Sequence, residues 1–131
     1  MGVDTKRVKN YLLKKEKDTR VSKEKEKTKI ILQLRSVKSL WERYGIKKVY
    51  LYGSFADMTF YDCSDVDVAI EPEIPFEDLL HLYSEINNCL QREVDIRLLN
   101  ELPFSQKIKK KGIVVYERKD IYPEKRNKKR F

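Results

Sequence analysis

The sequence predicts an α+β domain with one modest hydrophobic core. Three observations predict it: short runs rich in β-branched and aromatic residues, longer runs whose apolar residues recur every three or four positions, and a length of 131 residues. The first pattern is typical of strands and the second of amphipathic helices, and the two alternate along the chain. A chain of this length suits a single core rather than two full domains.

A short basic helix is predicted at the N-terminus. Asp4 or Thr5 can cap it, and it extends to about Lys17. The residues at helical spacing are Val8, Tyr11, Leu12 and Lys15. Its apolar face is therefore thin.

A second, longer helix is predicted from a cap at Ser22 to an end at Gly45. Its apolar stripe at 3–4-residue spacing consists of Ile30, Ile31, Leu34, Val37, Leu40, Trp41 and Tyr44. Residues 22–29 alternate lysine and glutamate and contain no apolar side chain. We expect that turn to project into solvent or toward a partner, while the second half docks on the core.

Two strands are predicted on either side of a turn. The first covers Lys47 to Tyr52, and Gly53-Ser54 ends it. The second covers Asp65 to Ile70, and successive side chains of a strand point to opposite faces. One face receives Val66, Val68 and Ile70, and the other receives Asp65 and Asp67.

The remaining elements repeat this logic. A helix is predicted to begin near Pro75, with Leu79, Leu82, Tyr83, Ile86 and Leu90 directed inward. The strand Glu93 to Leu98 follows and presents Asp95 on its outer face. A short helix near Phe104–Lys110 and a last strand at Ile113–Tyr116 complete the domain.

Charge divides the chain into three parts, with a net charge of +8 overall. Residues 1–48 carry 16 basic and 6 acidic side chains, residues 49–102 carry 2 and 12, and residues 103–131 carry 11 and 3. A carboxylate-rich centre suits divalent cations, while basic flanks suit acidic or phosphate-bearing partners or are simply solvated surfaces. We divide the chain into a basic helical extension (1–29), the domain (30–118) and a basic tail expected to be disordered (119–131).

Several classes of protein are disfavoured. No run approaches the roughly 18 apolar residues of a membrane span, and the first residues lack the apolar stretch of a signal peptide. Cys63 and Cys89 form no metal or disulfide framework, so the cytoplasm is the expected location. His81 is the only histidine and lies on an amphipathic helix, where a surface or packing role is expected.

The outward carboxylates predict a site for two metal ions. Asp65 and Asp67 lie two residues apart on one strand face and can both reach cations about 3.5–4 Å apart. Asp95, on another strand, can complete the site and accept a proton. The Gly53-Ser54 turn offers backbone N–H groups and a hydroxyl group, which suit a phosphate.

These segments resemble the minimal nucleotidyltransferase (MNT) group of the polymerase-beta-like superfamily. The resemblance is carried by Leu51-Tyr52-Gly53-Ser54-Phe55-Ala56, Ser64-Asp65-Val66-Asp67-Val68 and Val94-Asp95-Ile96 and extends from about residue 47 to 117. It implies a mixed sheet flanked by helices and transfer of a nucleoside monophosphate, expected to be AMP from ATP, with release of pyrophosphate. It also implies that Asp65, Asp67 and Asp95 are the catalytic ligands of two Mg²⁺ ions and that Gly53 and Ser54 bind phosphate.

The sequence departs from the group at one place. Members often have Arg-Gly after the Gly-Ser-x-Ala segment, whereas Asp57-Met58 follow Ala56 in this chain. An anion in place of a cation beside a triphosphate weakens nucleotide binding unless another basic group compensates, and Arg92, Arg97 or a lysine of the flanks are the candidates. The aromatic side chains that could line a nucleotide pocket are Tyr50, Tyr52, Phe55, Phe60 and Tyr61.

Within this group the chain resembles the antitoxins of HEPN–MNT toxin–antitoxin pairs. That resemblance implies AMP transfer to a tyrosine of a HEPN ribonuclease toxin, which would be the partner. The alternatives are a non-catalytic antitoxin that acts by contact, a small-molecule nucleotidyltransferase of the antibiotic-modifying type, and a nucleic-acid-binding protein that uses the basic flanks.

Overall fold

The computed structural model describes residues 4–61 and 64–118. Along this part of the chain, helices and strands follow one another in the order α1 (Thr5–Ser36), α2 (Lys38–Arg43), β1 (Lys48–Tyr52), α3 (Ser54–Asp57), β2 (Val66–Glu71), α4 (Phe76–Cys89), β3 (Val94–Leu98), α5 (Ser105–Lys111) and β4 (Ile113–Glu117). A 3₁₀ turn at Leu99–Glu101 connects β3 to the segment that leads into α5.

The four strands form one mixed sheet in the order β3-β2-β1-β4. Strand β1 is antiparallel to both of its neighbours, and β2 is parallel to β3. The parallel pair requires a crossover connection, which α4 supplies. A mixed sheet flanked by helices confirms the predicted α+β fold class, and each strand begins and ends within one residue of its prediction.

The two faces of the sheet are covered unequally. Val49, Val68 and Ile96 point into the main core, which α1, α2 and α4 cover. The opposite face carries a smaller cluster made by Tyr50, Ala69, Leu99 and Ile108. Because Ile108 belongs to α5, this short helix covers only part of the second face.

The N-terminal region is one helix where the sequence predicted two. Helix α1 continues through residues 18–22, which include no glycine or proline, and the Thr19 hydroxyl group donates to the Lys15 carbonyl oxygen at 3.0 Å. The break comes later, at Val37, where the buried indole N–H of Trp41 donates to the Leu34 carbonyl oxygen at 3.0 Å. The separate first helix was therefore a wrong prediction, while the apolar stripe that begins at Ile30 is buried as predicted.

The lysine–glutamate segment of α1 does not simply project into solvent. Lys23, Glu26 and Lys27 are partly buried. The Lys27 ammonium group donates to the Ala56 carbonyl oxygen at 3.0 Å, and Glu26 forms an ion pair with Arg92. The other five residues of the segment are exposed as expected. The expectation fails for these three because charged side chains can contact backbone carbonyl groups and each other where no apolar side chain is available.

The structure tests the prediction for α4 but does not describe some of the other residues for which a prediction was made. Helix α4 buries Leu82 and Ile86 as predicted, and His81 lies on its exposed side. The tail at residues 119–131 and Cys63 lie outside the described residues. None of the helices described in residues 4–61 and 64–118 is both long and apolar enough to cross a membrane.

Candidate active site

A row of three polar side chains crosses the second face of the sheet. In the strand register, Tyr52 of β1 is opposite Asp67 of β2, and Asp67 is opposite Asp95 of β3. Val66 and Val68 on either side of Asp67 are fully buried in the main core, so alternation directs Asp67 to the other face. The pairing of β2 with β3 therefore brings two of the three predicted site carboxylates side by side.

The turn after β1 lies against one of these carboxylates. Gly53 has a φ angle of 74°, and a Cβ atom built on it would lie 2.6 Å from Oδ2 of Asp67. Any other residue would therefore be strained in its backbone and would displace the Asp67 carboxylate. Ser54 follows as the first residue of α3 and is partly buried.

Negative charge accumulates around this turn. Burial raises the pKa of the Asp67 carboxyl group, and the charges of Asp95 and Asp65 raise it further. Burial also raises the pKa of Tyr52 to about 12, with the charges of Asp67 and Asp95 as further causes. Asp65 and Asp95 are therefore both close enough to Asp67 for their charges to repel its carboxylate. Asp65 itself is exposed and lies immediately before β2.

The chemistry of these groups fits a hard cation, since Mg²⁺ prefers carboxylate oxygens. Within residues 4–61 and 64–118, however, no three carboxylate, thiol or imidazole groups lie close enough to hold an ion without moving. Asp95 instead accepts a hydrogen bond from Nε of Arg97 at 3.0 Å. This contact uses Oδ2 of Asp95, and an ionised carboxylate has a second oxygen that can accept a hydrogen bond or bind a cation.

Asp57 and Met58, the residues that depart from the family pattern, end helix α3. The Asp57 carboxylate accepts hydrogen bonds from the Thr59 backbone N–H at 3.2 Å and from the Thr59 hydroxyl group at 2.6 Å. Met58 has a φ angle of 68° and lies in the left-handed region. Asp57 thus stabilises a turn, and Met58 occupies a backbone conformation that glycine adopts most easily.

Arg92 and α1 hold the segment that follows α3. The Arg92 guanidinium group pairs with Glu26 at 3.0 Å, donates to the Ser64 carbonyl oxygen at 3.1 Å and stacks 5.0 Å from the centre of the Phe55 ring. Phe55 in turn stacks on Phe60, with ring centres 3.9 Å apart. Arg92 therefore serves the packing of the loop between α3 and β2.

A cleft of about 750 Å³ opens beside the carboxylates, between the end of β1, helix α3 and helix α5. Its lining residues are Tyr52, Gly53, Ala56, Asp57, Asp67, Phe104, Lys107, Ile108, Lys111 and Gly112. Phe104 and Tyr52 form one wall, with ring centres 5.9 Å apart. The cleft joins the predicted site to a helix that carries basic side chains.

The structure separates the aromatic candidates. Tyr52 lines the cleft, whereas Tyr50 is buried in the smaller cluster on the second face. Phe55 and Phe60 are buried in the main core, and Tyr61 is exposed outside the cleft.

Sequence reasoning missed Phe104, Lys107 and Lys111 as residues that line the cleft. The spacing of four residues between the two lysines was a signal that they share a helix face. The spacing could not show that this face lines the same cleft as Asp67, since that depends on how Ile108 packs α5 against the sheet.

A family model described as "Polymerase beta, Nucleotidyltransferase" matches residues 35–121, which is more than half of the chain. The matched region contains the Gly53 turn and all three predicted carboxylates. No curated protein sequence shows a detectable match to the chain.

Two solved structures are similar to the chain. The first is described as a crystal structure of "the toxin-antitoxin with AMP-PNP", at 20% identity and a TM-score of 0.53, covering 66% of this chain and 73% of that one. The second is a proposed nucleotidyltransferase from Sulfolobus solfataricus, at 15% identity and a TM-score of 0.49, covering 76% of this chain and 88% of that one. At 20% identity, the similarity to the first structure is a similarity of fold alone.

Proposed function

Because the chain belongs to the polymerase beta nucleotidyltransferase family, we propose that it transfers a nucleoside monophosphate, AMP from ATP, to a hydroxyl group of a partner protein. The observation that carries this proposal is the row formed by Tyr52, Asp67 and Asp95 beside Gly53. Asp67 and Asp95 are neighbours on adjacent strands, and Asp67 lines the cleft. The repulsion between these carboxylates would be relieved by a metal-bound triphosphate.

In this proposal Asp65, Asp67 and Asp95 hold two magnesium ions. Bound in this way, the ions would neutralise charge on the triphosphate and make the acceptor hydroxyl group more acidic. Gly53 and Ser54 would bind the phosphates, because the absence of a Cβ atom at Gly53 leaves the backbone of the turn accessible beside the Asp67 carboxylate.

The proposed reaction is an in-line displacement at the α-phosphorus atom of ATP. The acceptor oxygen attacks the α-phosphorus atom of ATP while the bond to the bridging oxygen of the β-phosphate breaks, so that pyrophosphate leaves. In this proposal the Asp95 carboxylate, which accepts from Arg97 through Oδ2, accepts the proton of the hydroxyl group. The products are an adenylylated hydroxyl group and pyrophosphate.

The N-terminal half of α1 supports a protein as the acceptor. Residues 4–22 are all exposed, and this arm includes the apolar side chains of Val8, Tyr11, Leu12, Leu13 and Val21. A solvated helix of this length is marginal alone, so packing against a partner would stabilise it. Residues 5–21 carry seven basic and two acidic side chains, which favours a partner whose apolar groove has an acidic rim.

We further propose that the partner is a toxin of the HEPN type and that the acceptor is a tyrosine. The support is the resemblance of the Gly53-Ser54 and Asp65-Val66-Asp67 segments to MNT antitoxins, together with the fold shared with a structure described as a toxin–antitoxin with AMP-PNP. The bound molecule of that structure is an ATP analogue, which is consistent with ATP as the donor.

A contact-only antitoxin is the second candidate, and one observation favours it. Asp57 occupies the position beside the phosphate turn where related proteins often carry arginine, and it is held by Thr59. If the triphosphate bound poorly for that reason, the chain could still neutralise its partner through the exposed arm of α1.

Growth of cells that express the toxic partner separates the two candidates. We expect wild-type chain to restore growth and the Asp65→Ala, Asp67→Ala variant, which is expected to fold and bind, to fail. Full protection by this variant would contradict the enzymatic proposal and support contact alone. Co-purification of the variant with the partner checks that failure reflects lost chemistry.

A further inference from the structure

The two sides of the cleft carry opposite charge. Asp57 and Asp67 line the side formed by the sheet and α3, and Lys107 and Lys111 line the side formed by α5. The two lysines are four residues apart, so they lie on one face of the helix. Within the described part of the chain, neither ammonium group forms an ion pair or a hydrogen bond.

The other cations near the site already have partners. Arg97 pairs with Asp95, and the Lys27 ammonium group donates to the Ala56 carbonyl oxygen. Arg92 is held between Glu26 and the loop that precedes β2. A ligand with several negative charges that entered the cleft would therefore meet the lysines of α5 first.

We propose that Lys107 and Lys111 bind the β- and γ-phosphates of the nucleoside triphosphate. This inference rests on the proposed function, because it places the triphosphate in the cleft beside Asp67. Ammonium groups bind phosphate as point charges and form charge-assisted hydrogen bonds with its oxygens. They also hold the part of the substrate that leaves as pyrophosphate.

Two other lysines of helix α5 provide a matched control for the substitution of Lys107 and Lys111. Lys109 and Lys110 belong to the same helix and are exposed, but they do not line the cleft. Replacing either pair by alanine removes two positive charges from α5 and changes its helix propensity equally. If ATP binding depended only on the net charge of α5, both double variants would lose it equally. If the phosphates bind in the cleft, only the Lys107→Ala, Lys111→Ala variant would lose it.

The experiment measures binding of ATP and of AMP, each with Mg²⁺, to the wild-type chain and to both double variants by calorimetry. We expect Lys107→Ala, Lys111→Ala to weaken ATP binding about tenfold or more and AMP binding less than twofold, because AMP lacks the β- and γ-phosphates. Lys109→Ala, Lys110→Ala should bind both nucleotides like the wild type. Thermal unfolding of both variants verifies that they are folded.

The results separate this inference from the proposed function. Unchanged ATP binding in the Lys107→Ala, Lys111→Ala variant, or equal losses in the two double variants, would overturn the inference while leaving transfer by the wild type intact. A loss of AMP binding as large as the loss of ATP binding would also overturn it. A wild-type chain that neither binds ATP nor transfers AMP would contradict the proposed function itself.

Discussion

At the scale of single residues, Met58 is unusual because it ends α3 in the left-handed region with a φ angle of 68°. This conformation costs a residue with a Cβ atom about 1–2 kcal/mol, whereas glycine adopts it freely. Met58 is therefore held in a backbone conformation that a glycine at the same position would adopt without strain.

Met58→Gly should therefore be more stable to unfolding than Met58→Ala by about 1 kcal/mol, since both variants lose the side chain and only glycine relieves the strain. Chemical denaturation measures the difference. The control is Lys25 in the exposed middle of α1, where alanine should be more stable than glycine by about 1 kcal/mol. Equal stability of the two Met58 variants would mean that this backbone position is not strained.

Asp67 gives a prediction about pH. Burial, Asp95 and Asp65 raise the pKa of its carboxyl group in the folded state. Its ionisation therefore opposes folding, in part between the ordinary pKa and the raised pKa and fully above the raised pKa. In the presence of a chelator, Asp67→Asn should melt at a higher temperature than the wild type at pH 7. The difference should shrink as the pH falls into the acidic range where Asp67 is protonated in both folded and unfolded chains.

Thermal unfolding from pH 3 to pH 8 tests this prediction. A lower melting temperature of Asp67→Asn at pH 7, or a difference that grows toward acidic pH, would contradict the repulsion inferred for the site. Asp57→Asn serves as the control because both hydrogen bonds from Thr59 go to Oδ1, an acceptor that asparagine keeps. This variant should therefore melt close to the wild type at pH 7.

The face to which Asp67 and Asp95 point could be predicted from the sequence because alternation along a strand is a local property. Asp67 and Asp95 each lie between residues that are buried in the core, which fixes the face they share. Lys107 and Lys111 could not be found in this way, since their role depends on where α5 packs. The pairing of Asp95 with Arg97 is likewise a matter of side-chain orientation that alternation does not specify.

At the scale of elements, α1 performs two tasks that the sequence did not separate. Its C-terminal part buries Ile30 and Leu34, and its middle part contacts the loop after α3 through Glu26 and Lys27. The predicted break near Ser22 does not occur because that residue is compatible with a helix interior, although it also favours caps. Local cap signals could therefore not decide between one helix and two.

The exposed arm of α1 gives an element-scale prediction. Val8→Glu, Leu12→Glu should change the free energy of unfolding by no more than about 0.5 kcal/mol per site, because both side chains are exposed. The same variant should weaken binding of the partner protein about tenfold or more, measured by calorimetry.

The matched control for the arm is Asn10→Glu, Lys14→Gln, which makes the same change of two charges at two other exposed positions of α1 four residues apart. Partner binding should be affected much less by this variant if Val8 and Leu12 form the docking face. Equal losses would indicate that charge alone governs docking, and no loss in either variant would exclude the arm as the docking surface.

At the scale of the whole molecule, the charge pattern of the sequence corresponds to a spatial arrangement. The acidic central segment supplies the carboxylates on the second face of the sheet, the following basic segment supplies the lysines of α5, and the N-terminal basic segment forms α1. The sequence predicted the three blocks but not that the acidic central block and the basic block after it line one cleft, since that requires the tertiary packing of α5 on the sheet.

The central claim is that the chain transfers a nucleoside monophosphate to its partner protein. The most direct test incubates the two proteins with Mg²⁺ and each nucleoside triphosphate and then weighs both intact by mass spectrometry. We predict that the partner gains one or more AMP units with ATP and gains none with Asp67→Asn. A partner of unchanged mass that remains in a stable complex with the wild-type chain would contradict the account.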